Sequence, residues 1–282
     1  MCNPYRQRVL QDDPNLYWPF DYSSGTRVSN IQQPDYDAWI WNGDFTRDVH
    51  GPENTGIWGA RVGSQNGAGV SNLPVDQHTV SVSFWYREVG LRTAWTVLTH
   101  SIDWGNQGWA LQRRDSSNDV YLYVETSAGT SSIGYNTSNN VLDGNWHHIV
   151  LVLDHGVGSL FVDCSLLATE GFEQGDGIGH SDMNLVEWIV STDAQPEMAE
   201  YDEWHGKALT PEQVQDHYAS AYLTAASDPV HPAVPTNLTA VATGDGQVQL
   251  DWAGAPGAEH YVVQRRLVSI SSPDQPQDSV AE

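Results

Sequence analysis

His78-Thr79-Val80-Ser81-Val82-Ser83-Phe84-Trp85-Tyr86 and Trp146-His147-His148-Ile149-Val150-Leu151-Val152-Leu153-Asp154 are the two stretches whose reading decides the fold. In the first, Val80, Val82, Phe84 and Tyr86 recur at every second position, the period of a strand that turns one face inward and the other toward water or a second layer. The second is a short apolar run that stops at Asp154, far below the roughly 20 residues a membrane-spanning helix needs. Working outward, further strands are expected at Ala94–Thr99, Gly108–Gln112, Val120–Glu125, Gly158–Asp163 and Asn184–Val190, separated by Gly, Asn, Asp and Ser clusters. That punctuation belongs to an all-β antiparallel sandwich.

Two helices are expected. One spans Tyr5 to Leu10, before Pro14. The other opens at Thr210-Pro211-Glu212, with threonine at the N-cap, proline at the first helical position and an acid in the first turn, and runs to about Tyr222. Three prolines between Ser227 and Pro235 make a stiff linker, dividing the chain into residues 1–226, a linker at 227–235, and a second module at 236–282 with a polar tail. No internal repeat is visible.

The chain has 282 residues, with 12 Lys and Arg against 36 Asp and Glu, a net charge of −24. So acidic a surface excludes electrostatic capture of nucleic acid or of an anionic membrane, and no segment reads as membrane-inserted. The N-terminus carries no apolar core of a secretory signal peptide. Cys2 and Cys164 cannot build a disulfide framework, so the fold stands on a hydrophobic core that includes many of the 12 Trp.

Residues Tyr5 to Tyr222 resemble the laminin-G-like or concanavalin-A-like jelly-roll family. Ser81-Val82-Ser83-Phe84-Trp85-Tyr86 is similar to its "sFW" strand, Asn145-Trp146-His147-His148-Ile149-Val150 to its "W-H-h-v" strand, and Leu160-Phe161-Val162-Asp163 to its "lyvDG" hairpin. Tyr201-Asp202-Glu203-Trp204 through Leu209-Thr210-Pro211-Glu212-Gln213-Val214 is similar to the closing signature, while Cys164 stands where the family turns on glycine. The opening, Tyr5-Arg6-Gln7-Arg8-Val9-Leu10-Gln11-Asp12-Asp13-Pro14-Asn15-Leu16-Tyr17-Trp18-Pro19-Phe20-Asp21, resembles that of tailed-phage minor tail and virion surface proteins with such a jelly roll. After the linker, residues 235–241, 247–252 and 259–265 resemble the first three strands of a fibronectin type III module. A full module needs about 90 residues and the remaining stretch is about half of that, so the module is partial.

The chemistry is sparse. Glu200-Tyr201-Asp202 resembles part of the E-x-D-x-x-E strand of jelly-roll glycoside hydrolases, but His205 replaces the third carboxylate and no catalytic residue is assigned. His147 and His148 are adjacent on a strand and point to opposite faces, one packed and one solvated, so they do not share a metal. Zinc, phosphate-loop and nucleophile-elbow motifs are absent. No cofactor is assigned; calcium is carried as a rim ion with unassigned ligands, Asp35-Tyr36-Asp37, Gly175-Asp176-Gly177 and Ser181-Asp182 supplying hard oxygens. For sugars, Trp39, Trp41, Trp58 and Trp104 lie in loop-like, Asn- and Gly-rich surroundings, with Asp103 and Asn106 beside Trp104 to orient a ring stacked on it.

These readings give a non-enzymatic virion structural protein, in a phage tail, tail fibre or capsid surface, that contributes adhesion to host glycans. Its expected partners are other virion proteins, copies of itself and host-surface glycans. A scaffold or decoration protein without ligand and a glycan-hydrolysing jelly roll are the alternatives.

Overall fold

A computed structural model describes residues 3–21, 27–41, 45–53, 55–62, 67–73, 76, 78–89, 96–103, 107–113, 120–135, 141, 143–179, 183–187, 195–223, 236–244 and 247–253. The chain divides into two compact units, Met1–Ser227 and Asp228–Glu282. In the first, α1 (Pro4–Leu10) leads into β1 (Leu16–Trp18), β2 (Arg27–Val28), β3 (Ala38–Trp41), β4 (Phe45–His50), β5 (Trp58–Val62) and β6 (Gly67–Val70). There follow β7 (Thr79–Val89), β8 (Thr96–Asp103), β9 (Gln107–Arg113), β10 (Val120–Thr126), β11 (Gly129–Tyr135), β12 (His147–Asp154), β13 (Val157–Val162) and β14 (Ser165–Gly171). β15 (Met183–Glu187), β16 (Gln195–His205) and α2 (Pro211–Ala221) close the unit. The second unit shows an antiparallel hairpin, β17 (Thr236–Gly244) and β18 (Gln247–Ala253); the third strand expected there, at 259–265, lies outside the described residues, as does the linker.

Two antiparallel sheets form the sandwich. The first runs β14-β13-β12-β7-β16-β5-β4, with β1 also pairing β16; the second runs β11-β10-β9-β8-β15-β6-β3-β2. The alternation read at β7 sorts its side chains between two cores. Val80, Val82, Phe84 and Tyr86 join Trp109 and Leu111 of β9, Leu122 and Val124 of β10, and Ile149 and Leu151 of β12 between the sheets. Trp85 instead joins Tyr5, Val9, Val150, Phe161, Trp204 and Val214 in a layer between the first sheet and the helices. The apolar run of β12 is therefore continuous because both of its faces are covered.

Both helices begin as their sequences predict. Asn3 accepts the Tyr5 amide at the start of α1. Thr210 accepts from the Gln213 amide while the Gln213 side chain accepts the Thr210 amide, a reciprocal capping box. At the β13–β14 turn, Asp163 and Cys164 both take left-handed backbone angles, φ 47° and 61°. The turn forms without glycine, and Asp163 offsets the strain by accepting the His148 amide (2.9 Å) and the His147 ring (2.7 Å).

Candidate functional site

The hairpin that joins β4 to β5 carries the site. Its seven-residue connection is tied to itself: the Gly51 amide donates to the Ile57 carbonyl (3.0 Å), and the Thr55 hydroxyl donates to the Pro52 carbonyl (2.6 Å). A β-carbon at Gly51 would lie 2.7 Å from the Ile57 oxygen, so only glycine permits this closure. Ile57 anchors the connection in the helix-side core, which leaves the next residue, Trp58, at the surface with 38% of its area exposed.

The His50 ring lies 4.0 Å from that of Trp58, centre to centre. Behind them the Trp146 indole donates to the His50 carbonyl (3.0 Å), and the Arg87 guanidinium sits over the Trp146 ring at 5.1 Å. Arg87 and Arg61 are both fixed by the fully buried Glu197, through bonds of 2.5 and 2.8 Å. The result is a groove of about 590 Å³ lined by His50, Glu53, Trp58 and the backbones of Gly51 and Gly56. Its size is that of a small-ligand site. An indole face accepts the apolar side of a sugar ring, while the Glu53 carboxylate, the His50 imidazole and the glycine peptides supply hydrogen bonds.

The other expected sugar-binding residues are dispersed. Trp39, Trp41 and Trp58 are strand residues and not loop residues: Trp39 and Trp41 stand on β3, and Trp58 opens β5. The loop reading failed because the strands are short and sit among turn-forming residues. Trp39 pairs with Gly69 in the second sheet and Trp58 with His50 in the first, and Trp39 does not line the groove beside Trp58. Trp39 is 53% exposed, and the guanidinium of Arg27, a residue the sequence did not single out, lies 3.8 Å from its ring centre. Asp103 ends β8 opposite Gln107. Trp104 and Asn106 lie outside the described residues.

The carboxylates that resemble a hydrolase strand are sealed under α1. Glu200 and Asp202 are fully buried. Glu200 accepts the Tyr17 hydroxyl (2.5 Å) and the Arg6 guanidinium (2.9 Å). The Tyr5 hydroxyl meets Asp202, Ser83 and His148 at 3.1–3.2 Å, and Ser83 meets His148 at 3.0 Å. Burial, and then the charge of Glu200, push the Asp202 carboxyl well above its usual range. Burial also lowers His148 to about 3. A serine, a histidine and an aspartate stand together here, but they are packed under a helix and joined through the Tyr5 hydroxyl, with Asp202 Oδ1 and His148 Nδ1 buried without a partner, so they lie out of reach of a substrate.

His147 is not simply solvated. Its Nδ1 meets Asp163 (2.7 Å) and its Nε2 meets Asp143 (3.1 Å). The loop oxygens set aside for calcium are partly spent on the backbone: Asp37 accepts the Asn30 amide and Asp176 the Ser127 amide. Ser181 and Asp182 lie outside the described residues. Among the described residues no three His, Cys, Asp or Glu side chains converge to hold a metal, and no helix is long and apolar enough to cross a membrane.

The family description "Concanavalin A-like lectin/glucanases superfamily" (Laminin_G_3) matches residues 62–215. No curated protein matches. Among solved structures, the chain is similar to botulinum neurotoxin type C, which gets into cells through interaction with two ganglioside molecules (15% identity, TM-score 0.58, 77% of this chain and 53% of that one). It is also similar to the binding domain of botulinum neurotoxin DC, solved with rat synaptotagmin II (13%, TM-score 0.57, 74% and 52%). A third is the binding domain of Paraclostridial mosquitocidal protein 1 (14%, TM-score 0.61, 75% and 53%). At these identities the likeness is one of fold, and the chain spans about half the length of the structures it matches.

Proposed function

This chain belongs to the concanavalin A-like lectin/glucanases superfamily, and from that premise we propose that its first unit is a non-enzymatic binding module that holds a glycan in the groove beside Trp58. The observation that carries the reading is an exposed indole at the wall of a cavity of about 590 Å³. It is supported by the sealing of Glu200 and Asp202, which denies the fold's hydrolytic strand to a substrate, and by fold relatives that include two binding domains and a neurotoxin whose cell entry depends on gangliosides. Fold alone does not choose, because this sandwich also hosts hydrolases and spacers.

The module is further proposed to work on the surface of a phage particle, in tail or capsid, among other virion subunits and copies of itself, with 236–282 as a partial fibronectin-like annex. The support is the resemblance of Tyr5–Asp21, the segment that builds α1 and β1. The test is a host-surface glycan panel probed with wild type, Trp58→Ala and Trp104→Ala, in calcium and in chelator. Binding lost in Trp58→Ala is the expected result; undiminished binding there sinks the groove. Silence across the panel favours the scaffold reading, for which the exposed edge strand β14, with Leu166 54% exposed, offers a contact surface.

A further inference from the structure

In a chain of net charge −24, the described cations are nearly all spoken for. Arg6 pairs with Asp21 and Glu200, Arg8 with Asp12 and Asp216, Arg61 and Arg87 with Glu197, Arg113 with Glu88, and Lys207 with Asp12. Among the described Arg and Lys side chains, Arg27 is the one that meets no carboxylate. It is exposed on β2, the outermost strand of the second sheet, and its guanidinium is held 3.8 Å from the ring centre of Trp39. The register sets this pair: Arg27 lies directly cross-strand from Trp39, and Trp39 lies cross-strand from Gly69, where no side chain rises beside the indole.

A guanidinium lying against an indole is positioned without using up its hydrogen bonds. Its N–H groups point outward in its own plane, so the stacked pair presents a fork of donors matched to the two oxygens of a carboxylate. More than half of the Trp39 surface remains open to a sugar ring. Polyanions are repelled by the surrounding acidity, but a single carboxylate on an otherwise neutral sugar brings little repulsion and finds, at Arg27, a guanidinium that no carboxylate holds.

We propose that Arg27 and Trp39 form a second saccharide site, separate from the Trp58 groove, that selects sugars bearing a carboxylate. The inference deepens the glycan-binding reading and rests on it for the class of ligand.

The test titrates the full chain with two singly charged acidic probes, methyl galacturonide and 3′-sialyllactose, and with each probe after reduction of its carboxyl group to an alcohol. Wild type is expected to bind at least one acidic probe about tenfold more tightly than its reduced form, the worth of a charge-assisted bond. Arg27→Gln is expected to erase that preference, bringing the acidic probe's affinity to that of its reduced form. Trp39→Ala is expected to weaken acidic binding, and Trp58→Ala to leave the preference intact. Equal affinity for acidic and reduced forms, with binding of the reduced form lost in Trp58→Ala, overturns this site and keeps the groove. A preference that survives Arg27→Gln also overturns it. No binding of any probe, acidic or reduced, sinks this site, and only silence of the wider panel sinks the groove with it.

Discussion

His147 is gripped at both ring nitrogens, by Asp163 from the β13–β14 turn and by Asp143 from the connection leading into β12. Burial works against its charge, but the bonds to Asp163 and then Asp143 outweigh it and leave its pKa raised. A raised folded pKa means that the folded state holds the proton more tightly than the unfolded one. The stabilisation is full below the unfolded value of about 6.5 and is lost as pH rises through the folded value. The difference in melting temperature between wild type and His147→Asn is therefore expected to be larger at pH 5.5 than at pH 8.5; a gap that does not change with pH would refute the charged clamp. Residues of this kind were only half legible in the sequence. Alternation told that His147 and His148 part company, one packed. It did not tell that two carboxylates, Asp143 four residues before and Asp163 from the next hairpin, converge on the other. Arg27 was invisible for the same reason, since its contact with Trp39 exists only once β2 and β3 pair.

Helix α2 was legible almost to its ends because its signals are local: Thr210, Pro211 and Glu212 act within one turn of each other, and the structure adds Gln213 as the reciprocal cap. Thr210→Ala removes the acceptor for the Gln213 amide and is expected to cost about 1 kcal/mol, read as a lower urea midpoint at unchanged slope. No change in midpoint would mean that Gln213 is held by Asp12 instead, to which its side chain also donates at 2.5 Å. Long strands were legible too, β7 and β12 through period and apolar length. The strands of the N-terminal third were not. β1, β2 and β3 have two to four residues, too few to display a period, and their identity comes from pairing, β1 with the long β16, β2 with β3, and β3 with β6. In β16 a bulge between Ala199 and Asp202, with Glu200 at φ 48°, breaks the alternation and delivers both Ala199 and Glu200 to the helix side. Without coordinates, Glu200-Tyr201-Asp202 reads as a regular strand with two parallel carboxylates.

At the scale of the molecule, like charges dominate: 36 acidic residues against 12 basic ones repel one another in the compact state. Screening should relieve this, so the melting temperature is expected to rise between about 20 mM and 500 mM sodium chloride, as the Debye length contracts. A fall would show that partly exposed ion pairs such as Arg6–Asp21 and Arg8–Asp216 outweigh the repulsion. The sandwich as a whole was legible; the layer of helices over one sheet was only hinted at by α1 and α2, since nothing in their sequences says which face they cover. The position of β16 carries one more implication. It is the last strand of its unit along the chain, yet it lies inside the first sheet, between β7 and β5, and it also pairs with β1. On a ribosome, the two halves of that sheet wait as separate, open-edged pieces until residues 195–205 leave the exit tunnel. Assembly is then a late, single event, and a protease or chaperone has the whole of translation up to that point in which to act on the exposed edges.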